Sequence, residues 1–185
     1  MDIIPVIDVR EGVAVQAIAG NRSQYLPLDT PLAKGCKPED IALGYNSFFP
    51  FKTLYVADLD GIDRSQPNPL LRKRIGEVWQ GANIWIDDGT LEPSTSQDRI
   101  ISVVGSETLL MARPCESIDI KNRLKGVTIL SLDFRGDTFL GPPILLENTQ
   151  LWPEKIIVMT LERVGTNAGP DFKKLELIKL KAGVD

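Results

Sequence analysis

Six short apolar runs recur along this chain, with longer amphipathic stretches between them. They cover residues 3–8 (IIPVID), 53–60 (TLYVADLD), 83–88 (NIWIDD), 100–107 (IISVVGSE), 127–134 (VTILSLDF) and 155–162 (KIIVMTLE). Most are continuous rather than alternating in polarity, the pattern of strands buried on both faces of a parallel sheet. Helices are predicted over 37–49, 68–81, 93–100, 115–126 and 169–183. Several open on Pro or acidic residues and close on Gly, which suits helix starts and stops. The last places Phe172, Leu175, Ile178 and Ala182 along one apolar stripe. The order is βαβαβαβαβ, then a loop or short helix, then βα. It predicts an α/β fold with a parallel sheet, in a single domain over 1–185.

Two strand ends read alike. VIDVREG at 6–12 and SLDFRGD at 131–137 each end an apolar run on Asp, followed by one apolar residue, Arg and a turn-forming pair. A second echo links LYVADLDGIDRSQPNPLLRKRI (54–75) with IIVMTLERVGTNAGPDFKKLELI (156–178). In both, a strand leads through a polar Gly-containing loop and a Pro into a helix. A half-barrel repeat explains this economically, and convergence of generic βα units is the other explanation. On residue pattern alone, Asp8 and Asp133 are either a paired acid–base site or loop braces supported by Arg10 and Arg135.

Composition narrows the chemistry. The chain has 185 residues, 43% hydrophobic and 25% charged, with a net charge of −4. It reads as a soluble globular protein, and no basic block points to nucleic acid. LRKR at 71–74 reads as the solvated face of a helix. Two unpatterned cysteines, Cys36 and Cys115, fit free thiols in a reducing cytoplasm. No run has the length of about 18 apolar residues that a membrane helix needs. Histidine is absent. That removes histidine-based triads, histidine metal sites and histidine acid–base catalysis. An Asp can move protons near neutral pH only where its surroundings shift its pKa.

The motifs IIPVIDVREGVAV, LYVADLDG, VVGSETL, SLDFRGD and GTNAGPD together resemble the histidine-biosynthesis barrel family. That family holds phosphoribosylformimino-aminoimidazole carboxamide ribotide isomerase and the cyclase subunit of imidazole glycerol phosphate synthase. SLDFRGD points to the isomerase branch. The resemblance implies a TIM-type (β/α)8 barrel of two similar half-barrels, of which six βα units are visible and strands seven and eight are not. It implies an isomerase that rearranges a phosphorylated, sugar-derived aminoaldose to an aminoketose, with no cofactor and no metal. Asp8 would be the base and Asp133 the acid. Arg22, Asp58, Gly89, Gly105, Ser106, Arg135, Thr160, Gly165 and Thr166 would hold the substrate. Open edges at the first and sixth strands imply a covering partner, most simply a homo-oligomer.

Several positions depart from the family pattern. Asp87 and Asp88 put negative charge where a glycine run would receive a phosphate, which opposes binding at close range. Met159 stands where Thr is expected, Val164 where Asp is expected, and Pro142 where an aromatic is common. A carboxylate cation site at Asp58, Asp60, Asp87 and Asp88 is disfavoured, because adjacent strand residues point to opposite faces. The alternative to an isomerase is a non-catalytic or re-purposed member, for example one linked to tetrahydromethanopterin synthesis, that binds a ligand or a partner protein.

Overall fold

The computed structural model describes residues 2–91, 99–111 and 117–183. Six parallel strands form the backbone of the sheet: β1 (Val6–Arg10), β4 (Thr53–Asp58), β5 (Asn83–Asp87), β6 (Ile100–Gly105), β7 (Ile129–Arg135) and β9 (Lys155–Thr160). Each pairs with the next in that order. Three short antiparallel strands make the sheet mixed. They are β2 (Val13–Gln16) against β1, β3 (Leu26–Pro27) against β2, and β8 (Thr138–Phe139) against β7. All six predicted strands are present: four are trimmed at their C-terminal ends, and β1 and β7 start later than expected and run past the predicted end. The fold is α/β, with a curled mixed sheet that forms a half-barrel.

Alternation along the strands separates an outer shell from an inner one. Ile7, Val9, Leu54, Val56, Ile84 and Ile86 face outward. They pack with Ile41 of helix α1 (Pro38–Phe48) and with Leu71 and Ile75 of α3 (Leu71–Val78). Val104, Leu130 and Leu132 do the same against Ile120 of α5 (Ser117–Arg123) and Ile178 of α7 (Phe172–Ala182). The inner layer joins Tyr55, Ala57, Val103 and Ile129 with Trp85, Ile101, Ile157 and Met159. Burial on both faces explains why the strand runs are continuous.

β1 and β9 do not pair with each other among the described residues, yet their C-terminal loops meet. The Ala19 N–H donates to Val164 O at 2.9 Å. Gly165 sits so close to Ala17 that a Cβ there would lie 1.9 Å from the Ala17 carbonyl oxygen. This contact, together with a positive φ at Gly165, requires glycine at that position. The loop contact closes one end of the curled sheet and positions the cavity described below.

Local structure corrects several expectations. Residues 93–98 of the expected helix 93–100 lie outside the described residues, and Ile100 begins β6. The helix expected over 68–81 is shorter, at Leu71–Val78. On α7, Phe172 is 73% exposed and Ala182 is also exposed. The buried positions are Lys174 and Ile178, one turn apart. The Lys174 ammonium lies 4.7 Å from the Phe134 ring centre and donates to Gly136 O, so its stem, and not Phe172, is buried in the first turn of the helix. Arg72 of the LRKR run is not on a solvated face. It reaches Asp88 at 2.7 Å and Ser102 at 3.0 Å. Short helices that the hydrophobic pattern did not reveal follow β4 and β6: α2 (Leu59–Arg64) and α4 (Ser106–Met111). A further one, α6 (Ile144–Glu147), fills the expected loop or short helix.

Candidate functional site

A cavity of about 350 Å³ opens at the C-terminal ends of the parallel strands. Its polar lining is Asp8 from β1, Arg22 and Tyr25 from the following arm, Tyr55 from β4, Asp87 from β5, Glu107 from α4 and Asp133 from β7. Parity puts them there. Asp8 pairs across the sheet with Ala57, and Ala57 with Asp87, so these three inward positions share one level. Asp133 pairs with Met159, which also lines the cavity.

Asp133 is held by hydrogen bonds. Ser131 Oγ donates to Oδ1 at 2.6 Å, and the Glu107 backbone N–H donates to Oδ2 at 3.3 Å. Ser106 Oγ lies 3.1 Å from Oδ2 and 2.8 Å from Leu140 O, so its one proton serves either acceptor. It also accepts the Asp133 N–H at 2.9 Å. These donors favour the charged form, but burial outweighs them and pushes Asp133 up to about 6.

Asp8 has no hydrogen bond to its carboxylate among the described residues. Burial pushes it up to about 6, and the nearby Arg22 guanidinium limits the rise. Arg22 is itself bound to Asp63 and Glu107. The Arg10 guanidinium in turn donates to Arg22 O and lies 3.6 Å from Asp63. The arm after β1 is thus tied to α2 and α4 through one half-buried cation.

Asp87 points inward and Asp88 outward, where Arg72 neutralises it. Burial, reinforced by the Asp133 charge, pushes Asp87 up to about 8. Asp87 therefore stays protonated through neutral pH, and the repulsion expected of it from sequence is absent there. The Tyr55 hydroxyl donates to Asp87 Oδ2 at 3.4 Å, and Tyr55 ionises only well above its usual range because it is buried beside these carboxyls.

Of the expected site residues, Asp8, Arg22, Asp133 and Gly165 line the cavity. Gly105 faces it between Asp87 and Asp133, and Ser106 stands behind Asp133. The others lie elsewhere. Asp58 points outward and caps α2, accepting the Asn68 N–H at 2.6 Å and the Gly61 N–H at 3.4 Å. Gly89 packs against Gly61 with φ +69°, where a Cβ would meet Gly61 O at 2.5 Å. Arg135 is exposed at the end of β7. Thr160 is buried at the end of β9, with odd parity to Met159. Thr166 closes a turn by donating to Arg163 O. Tyr25, Tyr55 and Glu107 join the site without having been expected. Tyr55 and Asp87 could have been found from inward parity with Asp8. Glu107 follows β6 in the first turn of a helix that the hydrophobic pattern did not reveal.

Among the described residues, no group of three or more His, Cys, Asp or Glu side chains is arranged to hold a metal ion. No described helix is long and apolar enough to cross a membrane. No family model matches the chain. It is 29% identical over 189 residues to an uncharacterized protein of Methanocaldococcus jannaschii, a match covering 97% of this chain and 76% of that relative.

Proposed function

We propose that this protein is an isomerase of the histidine-biosynthesis barrel type, acting on a small phosphorylated aminoaldose, and that its curled sheet is part of a (β/α)8 barrel of two similar halves. One observation carries the reading. Asp8 and Asp133, from strands far apart in sequence, line one cavity, and each changes charge at about 6. The matching two-residue hairpins after both strands support the two halves.

The Amadori reaction uses these groups in turn. Protonated Asp133 gives its proton to the sugar ring oxygen. The ring C–O bonding pair moves onto that oxygen while the amine lone pair forms C=N. Asp8 as carboxylate then removes the proton from the adjacent carbon; that C–H pair forms the enaminol C=C bond as the C=N π pair returns to nitrogen. Tautomerisation of the enaminol gives the aminoketose. Each positioned acid or base contributes roughly 10² to 10⁴ in rate. Arg22 supplies the positive charge that attracts an anionic substrate, with the Gly165 loop beside it. No cofactor enters the scheme. The expected open edge at the first strand is largely taken by β2, which pairs with Asp8–Arg10, so the edges read as covered by a second copy of the chain in the cytoplasm are those of β3 and β9. Light scattering that finds only monomer at high concentration ends that part of the reading.

The test is complementation of a strain lacking the histidine-pathway isomerase, paired with conversion of the aminoaldose by purified protein. Growth and turnover with the parent chain, and neither with Asp8→Asn, are expected. No turnover with the parent rejects the isomerase reading. A second reading, a re-purposed site for another ligand, is favoured by the commitment of Arg22 to Asp63 and Glu107. A cation already shared by two carboxylates has less to offer a phosphate.

A further inference from the structure

Asp87 is the buried acid that the scheme above leaves without a task. Its carboxyl and that of Asp133 face the same gap. Asp87 Oδ2 and Asp133 Oδ2 lie 3.3 and 3.4 Å from the point that a Gly105 Cβ would occupy. Any other residue at 105 would press on both oxygens. Elsewhere, Asp87 Oδ2 accepts from Tyr55 and Oδ1 accepts the Gly89 N–H at 3.3 Å. No cationic side chain forms an ion pair with Asp87 among the described residues. Two carboxylates in such a cavity cannot both ionise cheaply, so one proton stays with the pair.

Resting on the acid–base reading, we propose that Asp87 is a positioning residue for Asp133: the two carboxyls hold one proton between them beside the Gly105 gap, and Asp133 delivers it to the substrate. After delivery both carboxylates are charged, and the pair takes a proton back from water.

The titration behaviour agrees with this arrangement. Asp133 stands at about 6 and Asp87 at about 8, the latter raised first by burial and then by the Asp133 charge. The pair therefore loses its protons in two steps and holds one between them. The groups facing the pair are Tyr55 from β4, Glu107 from α4, and Asp8 and Arg22 at the β1 side, while Asp88, just after β5, carries a nearby charge but points outward. Arg22 is bound to Asp63 and Glu107, and Asp88 to Arg72, so neither relieves the pair.

The shared proton also solves a problem of timing. Catalysis needs Asp8 ionised and Asp133 protonated. Were both independent at about 6, no more than about a quarter of molecules would be in that state, falling about tenfold per pH unit above it. A proton kept to about 8 opens the interval between the two values.

The experiment is a ¹³C NMR titration of the full chain with labelled aspartate carboxyls. In the parent, the Asp133 signal should move in two steps, near 6 and near 8. In Asp87→Asn it should move in one step near 6. Identical curves overturn the proposal. Should Asp87→Asn not fold, Asp133→Asn reads the same coupling from the other side, and the Asp87 midpoint must then drop. An unchanged midpoint overturns the proposal equally. Where the parent turns over, Asp87→Asn should lower the basic limb of the pH–rate profile by about two units, an about 100-fold loss at pH 8 with little loss at pH 5.5. A uniform loss at every pH marks a structural role and rejects the idea. Absence of turnover in the parent rejects the isomerase reading, and the NMR curves still decide this one.

Discussion

Asp8 and Asp133 end matching strands, and their surroundings have little in common. Both strands turn back through two-residue hairpins, β1 into β2 and β7 into β8. Both Asp residues face inward, and both are pushed to about 6. Asp133 reaches that value inside a cage of neutral donors: Ser131 Oγ, Ser106 Oγ and the Glu107 N–H. Asp8 reaches it by burial against one nearby cation, with no hydrogen bond to its carboxylate among the described residues. The same proton affinity is thus built by two routes. Hydrogen bonds on both carboxylate oxygens fix where Asp133 points. A Coulombic partner leaves Asp8 free to turn, as a base that must meet a carbon-bound proton does.

The largest effect that separates the groups is on stability against pH. The folded pKa values of Asp8, Asp133 and Asp87 are all raised. Each group therefore binds its proton more tightly folded than unfolded. Its contribution is fully present below the unfolded value, near 4, and is lost as pH rises through the folded value. For Asp8 and Asp133 that window is about 4 to 6, and for Asp87 about 4 to 8. At about 1.4 kcal/mol per unit, each of the first two costs on the order of 2–3 kcal/mol across its window, and Asp87 more. Urea denaturation at pH 5 and pH 9 should show Asp87→Asn gaining stability relative to the parent at the higher pH. An equal difference at both values would mean the carboxyl is not buried as described.

Removing the cation sharpens the contrast next. Arg22→Gln should raise the Asp8 pKa above 6 and leave Asp133 nearly unmoved, because Arg22 is a cause of the shift at Asp8 alone among the three leading carboxyls. The acid limb of activity should shift to higher pH with it. Freeing Asp63 and Glu107 should cost about 1–3 kcal/mol, measured by urea denaturation at pH 7. Equal shifts at Asp8 and Asp133 would show that one field governs both.

Much of this fold was legible in the hydrophobic pattern, and the reasons are physical. Strands buried on both faces leave continuous apolar runs, so all six parallel strands could be read. The hairpins were less visible: β3 and β8 are two residues each, too short for a period to register. Helices α2 and α4 span six residues each and lack a full amphipathic cycle. At the site, strand-end parity sufficed for Asp8 and Asp133. Asp87 was visible as a residue, but its effect was judged from charge alone. Burial reverses that effect by holding the proton on. Asp58 shows the opposite failure. A strand-end Asp looked like a ligand contact, and its carboxylate is spent on the backbone amides of Gly61 and Asn68. Residue type cannot tell these outcomes apart, because helix capping and substrate binding recruit the same acceptor.

The cage around Asp133 gives a smaller and more specific test. Ser131→Ala removes the shortest hydrogen bond to its carboxylate, 2.6 Å to Oδ1. That bond favours the charged form, so its loss should raise the Asp133 pKa further, the same direction that Arg22→Gln imposes on Asp8. Stability should fall by about 1 kcal/mol at pH 8, where the carboxylate is charged and needs the donor. At pH 4 the fall should be smaller, since a protonated Asp133 needs that donor less. Arg135→Ala should change neither quantity beyond about 0.5 kcal/mol, because Arg135 is exposed and forms no ion pair among the described residues. Its counterpart Arg10 supports Arg22 and Asp63. Arg10→Ala should therefore reach Asp8 through Arg22 where Arg135→Ala leaves Asp133 untouched. If both Arg variants proved silent, the two matching motifs would share a turn but no electrostatic role, and the asymmetry between the two strand ends would lie in the serines alone.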